Sequence, residues 1–213
     1  MSDFFSALQQ HAFLQYALVG GLLASICCGI VGSYVVAKRI AYLASGIAHT
    51  ILGGMGIAAY LGGSPLLGAL IAALGAAIVI GWINLRWREH EDTLISVMWS
   101  VGMAVGIVFV AKTPGYTTDL MSYLFGNILM LSPTELYWMA ILDVVLVLLV
   151  WWLRRPFLAL CFDEEYARLR GVPVVPLYML LLCMVAVTVG VLTQVVGLLL
   201  VIALLTLPAA IAG

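Results

Sequence analysis

The feature that most constrains this chain is a series of long apolar segments separated by short polar ones. A hydrocarbon core of roughly 30 Å is crossed by about 20 helical residues, at about 1.5 Å rise per residue. Barrel strands would instead be about 10 residues long and would alternate in polarity. The sequence therefore predicts an all-α, polytopic membrane helix bundle. The predicted spans cover residues 13–37, 40–61, 65–85, 94–111, 134–153, 173–192 and 195–212 of the 213-residue chain.

Composition and motifs exclude several classes of protein. The chain is 65% apolar and 9% charged, against about 45–50% apolar and about 25% charged in soluble domains. Its net charge of −1 gives no field that would attract nucleic acid. The sequence contains neither a phosphate-binding loop ending in Lys and Ser/Thr nor a GxSxG or HExxH motif. We therefore interpret residues 1–213 as a single transmembrane domain. The amino terminus lacks the basic region and the small-residue cleavage site of a signal peptide, so we expect the first apolar segment to stay in the protein as a membrane span.

The placement of basic residues predicts the orientation of the spans. Eight of the nine Lys and Arg follow the first, third and fifth spans, which puts them on one side of the membrane. The positive-inside rule makes that side cytoplasmic, so the amino terminus is expected outside. These eight residues are Lys38, Arg39, Arg86, Arg88, Arg154, Arg155, Arg168 and Arg170.

One apolar segment, residues 119–132, is too short to span the membrane and falls on the outer side. We interpret it as a re-entrant or interfacial helix, in which Gly126 and Asn127 would suit a break. The alternative is a helix that packs over the outer mouth of the bundle.

His49 is the clearest candidate for a functional residue within a span, because ionisable groups are costly inside a bilayer. It lies near the middle of the second span. Helical spacing places it on one face with Tyr42, Ser45, Gly53 and Gly56. A neutral imidazole is a common ligand of zinc and related divalent ions. The alternative is a structural His that is hydrogen-bonded to a neighbouring helix.

Asp143 is the second such residue, near the centre of the fifth span. It could pair with His49 or line a pathway. It could equally bond a hydroxyl or a backbone group of a neighbouring helix.

The polar connection after the fifth span predicts a short helix within residues 161–172. Asp163 can cap that helix, with Glu164 and Glu165 in its acidic first turn. Arg168 and Arg170 would lie in its last turn, and Gly171 followed by Pro173 would end it. This helix is either an ordinary loop helix or a docking helix for a soluble partner.

Four stretches of the sequence together resemble a known family, the permease subunits of the ABC-3 importers of zinc, manganese or iron. The resemblance extends over about residues 20–212. In chain order, the stretches are VGSYVVAKRIAYLASGIAHTILGGMGIAAYLG, DLMSYLFGNILMLSP, FDEEYARLRGVP and VGLLLVIALLTLPAAIAG.

The resemblance implies a transport subunit that is not itself an enzyme and has no permanently bound cofactor. It implies that two copies form the pathway for a divalent metal ion in a bacterial plasma membrane. It also implies that a separate ATPase docks on the cytoplasmic side and uses ATP, while an extracytoplasmic metal-binding protein delivers the ion. The family's docking helix corresponds to the segment from Asp163 to Gly171.

This sequence departs from the family's pattern at one position of the second span. The family pairs an Asp with a His four residues later; here His49 matches the His, whereas Ser45 stands at the Asp position. A serine hydroxyl is a poor ligand for a divalent ion, so another carboxylate would have to serve, with Asp143 or Asp119 as candidates. Imidazole without carboxylate slightly favours zinc over manganese.

The family also usually continues for several tens of residues past the segment that ends at Gly213. The sequence therefore indicates either a truncated chain or a short family member.

A function of a different class also fits the residues. A stand-alone, proton-coupled secondary transporter or an intramembrane enzyme could use His49 and Asp143 as a proton relay, and it would need no ATPase.

Overall fold

The computed structural model describes residues 11–86, 91–113, 126, 128 and 131–212, and within these ranges the chain forms eight α-helices. Six of these eight are long and apolar enough to cross a membrane. The predicted all-α membrane bundle is confirmed, although the helix at the seventh predicted span has only 15 residues. The helices are α1 (Ala12–Ala37), α2 (Ala41–Tyr60), α3 (Pro65–Arg86), α4 (Glu91–Lys112), α5 (Pro133–Phe162), α6 (Glu164–Leu169), α7 (Val174–Val196) and α8 (Leu198–Ala212).

Helix α5 is longer than the predicted fifth span. It begins with a capping box, in which the Ser132 and Glu135 side chains each bond the other residue's backbone N–H. It then continues through Pro156 to Phe162, past residue 153, at which the predicted span ends. Arg154 and Arg155 end the apolar run, but arginine and leucine are good helix formers, and the helix continues beyond the membrane-spanning stretch.

Between α7 and α8 lies a single residue, Gly197. Its φ of +85° belongs to the region that glycine favours. Gly126, from the predicted outer segment, approaches the same point so closely that a Cβ at Gly126 would meet the backbone of Val196 and Gly197. Most of residues 119–132 lies outside the described residues, so its interpretation as a re-entrant or interfacial helix stays a prediction.

The corner between α1 and α2 is tight. The Lys38 N–H donates to the Tyr34 carbonyl and the Ile40 N–H to the Val35 carbonyl, both at 2.9 Å, while Arg39 adopts a φ of +58°. A polar cavity of about 530 Å³ beside this corner is also lined by residues of α3, α5, α6 and α7. The α1–α2 corner, the last turns of α3 and the junction of α5 with α6 therefore lie at one end of the bundle.

Helix α2 lies at the centre of the packing and contacts α3, α4 and α7. Small residues make its closest approaches possible. A Cβ at Gly53 would lie 2.9 Å from the Gly102 carbonyl oxygen of α4, and a Cβ at Gly68 of α3 would meet the Gly54 backbone. In lipid, such contacts supply much of the energy of helix association, because apolar side chains gain little by leaving lipid tails for protein.

We expect Gly102→Ala to destabilise the bundle. A Cβ there would lie 2.8 Å from the Thr50 Cα, a backbone atom that has no flexible end to move away. Overpacking of this kind costs about 1–3 kcal/mol. The check is thermal unfolding of the purified protein in detergent.

Gly75→Ala is the matched control, because nothing lies within 4 Å of a Cβ at Gly75, which is also helical. Its unfolding temperature should be unchanged or slightly raised, since alanine favours helix over glycine. Equal unfolding temperatures for the two variants would contradict the α2–α4 packing described here.

Candidate functional site

His49 lies about 12 Å along α2 from its first residue, near the middle of a helix of about 30 Å. The side chain is buried, with 8% of its surface exposed. Its imidazole stacks on the indole of Trp99 from α4, with ring centroids 4.1 Å apart and planes 7° apart. The contact therefore uses the face of the imidazole ring.

This stacking leaves the ring edge of His49 for other contacts. Both ring nitrogens lie in the plane of the imidazole, and metal coordination uses one of them through its lone pair. Within the described part of the chain, His49 contacts the neighbouring helix through the aromatic stack rather than through a hydrogen bond. The arrangement holds the ring in place and is compatible with a ligand at its edge.

The polar residues that precede His49 in α2 lie along the same contact between α2 and α4. The hydroxyl oxygens of Tyr42 and Ser96 are 2.7 Å apart and share a hydrogen bond. Ser45 is half-buried and lies one helical turn before His49. We call the Tyr42, Ser45 and His49 side of α2, together with Ser96 and Trp99 of α4, the α2–α4 polar face.

The glycines that continue this face of α2 pack against α4. Gly53 lies opposite Gly102, and Gly56 lies opposite Gly106, where a Cβ would come within 2.9 Å of a carbonyl oxygen. The half of the face beyond His49 is therefore closed by the neighbouring helix, and only the half from Tyr42 to His49 carries polar side chains.

Asp143 lies elsewhere in the bundle. It is 5% exposed, and its Oδ1 accepts a hydrogen bond from the Cys27 thiol of α1 at 2.6 Å. Its Oδ2 is buried without a hydrogen-bond partner among the described residues. Asp143 and His49 thus have different partners, and α2 and α5 are not among the helix pairs in extensive contact.

A complete metal site is not found in the described part of the chain. No group of three His, Cys, Asp or Glu side chains there could hold a metal ion. The structure brings Ser45 close to His49 through helical spacing, but it does not add Asp143 to them. Asp119, the other candidate carboxylate, lies outside the described residues.

The short helix predicted after the fifth span is confirmed as α6. Asp163 is its N-cap, and the Asp163 Oδ1 accepts from the backbone N–H groups of Glu165 and Tyr166 at 2.9 and 3.0 Å. Glu164 and Glu165 lie in the first turn, and Arg168 lies in the last turn. Arg170 is the C-cap, and Gly171 follows with a φ of +76°.

The side of α6 that faces away from the bundle is exposed and could contact another protein. Tyr166 and Leu169 are 50% and 87% exposed, while Ala167 is buried against the bundle. Phe162, just before the helix, is 86% exposed. This is an apolar and charged surface at the end of the bundle that carries the α1–α2 corner.

The sequence did not indicate that α4 supplies the partner of His49. Trp99 and Ser96 belong to a run of α4 that also contains Gly102 and Gly106, and nothing in that run identifies the helix against which it packs. The Cys27–Asp143 bond was likewise missed, because nothing in the local sequence of α1 or α5 relates two residues that are 116 positions apart.

Comparison with known proteins places this fold among transport proteins. The sequence model of a family described as "ABC 3 transport family" matches residues 10–213. A solved structure described as PsaBC from Streptococcus pneumoniae in complex with Fab superposes with a TM-score of 0.87 at 31% identity. That superposition covers 99% of this chain and 76% of the other.

Several curated relatives are named for metal transport. A probable metal transport system membrane protein of Chlamydia trachomatis is 45% identical over 92% of this chain and 69% of its own length. The manganese transport system membrane protein MntC of Halalkalibacterium halodurans is 35% identical, covering 100% of this chain and 73% of its own length. The chelated iron transport system membrane protein YfeD of Yersinia pestis is 34% identical, covering 100% and 72%.

We expect Asp163→Ala to loosen α6, because the backbone N–H groups of Glu165 and Tyr166 would lose their shared acceptor. Loss of an N-cap costs about 1 kcal/mol, which corresponds to about fivefold faster amide exchange at these two residues. Hydrogen–deuterium exchange measures it. Asp163→Ser, which keeps an acceptor at the cap, should exchange nearly as slowly as the original chain; equal acceleration in both variants would argue against the cap.

Proposed function

Because this chain belongs to the ABC 3 transport family, as its sequence resemblance implied, we propose that it is the membrane-spanning subunit of an ATP-driven importer of divalent transition-metal ions. The observation that carries the proposal is a buried imidazole, His49, on the central helix of a chain whose sequence matches metal-transport membrane proteins over nearly its whole length.

We propose that the α2–α4 polar face borders the path of the ion and that His49 is its principal contact. One imidazole and one hydroxyl, from His49 and Ser45, bind a divalent ion weakly. Weak binding suits a conduit, because an ion that is held tightly leaves slowly. In a dimer, the same face of a second copy would supply a second imidazole.

Two arguments bear on the identity of the ion. The curated relatives that are named for an ion carry manganese or chelated iron in their names. The chemistry of His49 beside Ser45 favours zinc, because manganese prefers carboxylate oxygens and imidazole suits zinc. We propose manganese as the first ion to test, with zinc and iron measured in parallel.

The energy for transport would come from a separate chain. The sequence contains no phosphate-binding loop of the Gly-Lys-Ser/Thr type. We propose that an ABC ATPase docks on α6 at the cytoplasmic end and that an extracytoplasmic metal-binding protein delivers the ion to the other end. This arrangement places the amino terminus outside, in a bacterial plasma membrane.

A proton relay through His49 and Asp143 would have supported a stand-alone secondary transporter. The two side chains have different partners, Trp99 and Cys27, on different helices. The geometry therefore gives that alternative no support.

We expect His49→Ala to reduce metal uptake by about tenfold or more, since loss even of a group that supports a metal ligand costs about 10–100-fold. The measurement is accumulation of radioactive manganese, zinc and iron in cells that lack their own high-affinity importers. The chain is co-expressed with its cognate ATPase and binding protein.

His11→Ala is the matched control for this measurement, because His11 is exposed and precedes α1 outside the polar face. Its uptake should match that of the original chain. Uptake that survives in His49→Ala would overturn the role of His49, and uptake of none of the three ions by the original chain would overturn the proposed function.

Replacement of residues 163–171 by a flexible Gly-Ser linker of equal length should abolish co-purification of the ATPase. The docking surface on α6 would be lost, whereas the membrane-spanning helices would remain. Membrane insertion, followed by protease protection, serves as the internal control. Co-purification of the ATPase with this variant would show that it docks elsewhere.

A further inference from the structure

Helix α6 contacts the rest of the bundle through packing and through an ion pair. Its buried side packs on α5 and α7. Its first residue, Glu164, also accepts from Lys38 at the α1–α2 corner, with Nζ and Oε1 2.5 Å apart. The Lys38 side chain is 10% exposed and that of Glu164 26% exposed, so both members of the pair are half-buried. The ion pair thus connects α6 to the corner between α1 and α2.

The corner that carries Lys38 is rigid and short. Only Lys38, Arg39 and Ile40 separate α1 from α2. The backbone bonds of Lys38 and Ile40 to the last turn of α1 fix the path of the chain. The Ala44 N–H donates to the Ile40 carbonyl at 3.1 Å, so α2 begins directly from the corner. A displacement of Lys38 would therefore be passed to the start of α2.

Helix α2 leads from this corner to the polar face. Tyr42 is the second residue of α2, and His49 lies about 12 Å along the helix from its first residue, Ala41. Because a helix is a rigid element, a shift or rotation at its first turn also moves His49 relative to the rest of the bundle.

We propose that the Lys38–Glu164 ion pair is the link through which movement of α6 reaches α2 and the α2–α4 polar face. This inference rests on the proposed function, in which an ATPase moves α6. Lys38 and Glu164 are positioning residues: neither touches the ion, and both act through the helices that they join.

The surroundings of the pair fit a mechanical role better than a stabilising one. A polar cavity of about 530 Å³ borders Lys38 and Glu164, so apolar packing does not fill the space beside the pair. Partly exposed ion pairs contribute little to stability. Removal of either charge should therefore leave the fold intact while it disconnects α6 from the corner.

The test uses the full chain assembled with its ATPase and binding protein in proteoliposomes. Three variants are compared: Lys38→Met, Glu164→Gln and the exchanged pair Lys38→Glu with Glu164→Lys. Arg39→Gln is the matched control, because it removes a neighbouring positive charge that is exposed at the same corner. The readouts are metal uptake, ATP hydrolysis and the amount of ATPase that co-purifies.

Each single variant should lower the number of ions imported per ATP hydrolysed by about fivefold or more, within the range expected for a coupling residue. Co-purification of the ATPase should stay within about twofold, because a partly exposed pair contributes little to folding. The exchanged pair should recover most of the lost ratio, and Arg39→Gln should keep it. A general structural defect would instead lower uptake and hydrolysis together and would not be rescued by exchange.

Unchanged ions per ATP in both single variants would overturn the link, as would an exchanged pair that is no better than either single variant. These outcomes leave the proposed function standing, because the original chain still transports. If the original chain neither transports metal nor retains an ATPase, the proposed function fails, and the inference fails with it.

Discussion

The close approach of α2 to α4 is the contact on which the rest of the arrangement depends. Gly53 and Gly56 of α2 meet Gly102 and Gly106 of α4, so the two backbones come nearer than any side chain would allow. In lipid, van der Waals contact of this kind replaces the hydrophobic effect as the force that joins helices. As a consequence, the imidazole of His49 lies flat on the indole of Trp99, and the edge of the imidazole is left for other contacts.

Much of the fold could be predicted from the sequence, because its causes are local. Hydropathy located the spans, and the Asp163 cap with its acidic first turn located α6. What escaped prediction depends on the pairing of distant segments, such as Trp99 with His49 or Cys27 with Asp143. The extra length of α5 escaped because Arg154 and Arg155 end an apolar run without ending a helix.

The candidate site was half predictable for the same reason. The polar face of α2 follows from helical spacing alone, and His49 was identified because an ionisable group within a span needs an explanation. The proposed pairing of His49 with Asp143 rested on chemistry without geometry. In the structure, the two side chains contact different neighbours. The proposed contact with the ion therefore depends on His49, Ser45 and α4, the helix that faces them.

We propose above that the polar half of α2 borders the path of the ion, and an ATP-driven importer would open that path to each side of the membrane in turn. The most direct measurement is the reactivity of Ser45→Cys, in a chain whose four native cysteines are replaced, towards a membrane-impermeant thiol reagent. The reagent is added from either side of the membrane, with and without nucleotide trapped on the ATPase. We expect the thiol at position 45 to be modified from one side of the membrane only, and we expect nucleotide to reverse which side that is. A residue 45 thiol that stays unreactive from both sides in both states would show that this face is packed against protein or lipid, and the pathway would have to lie elsewhere.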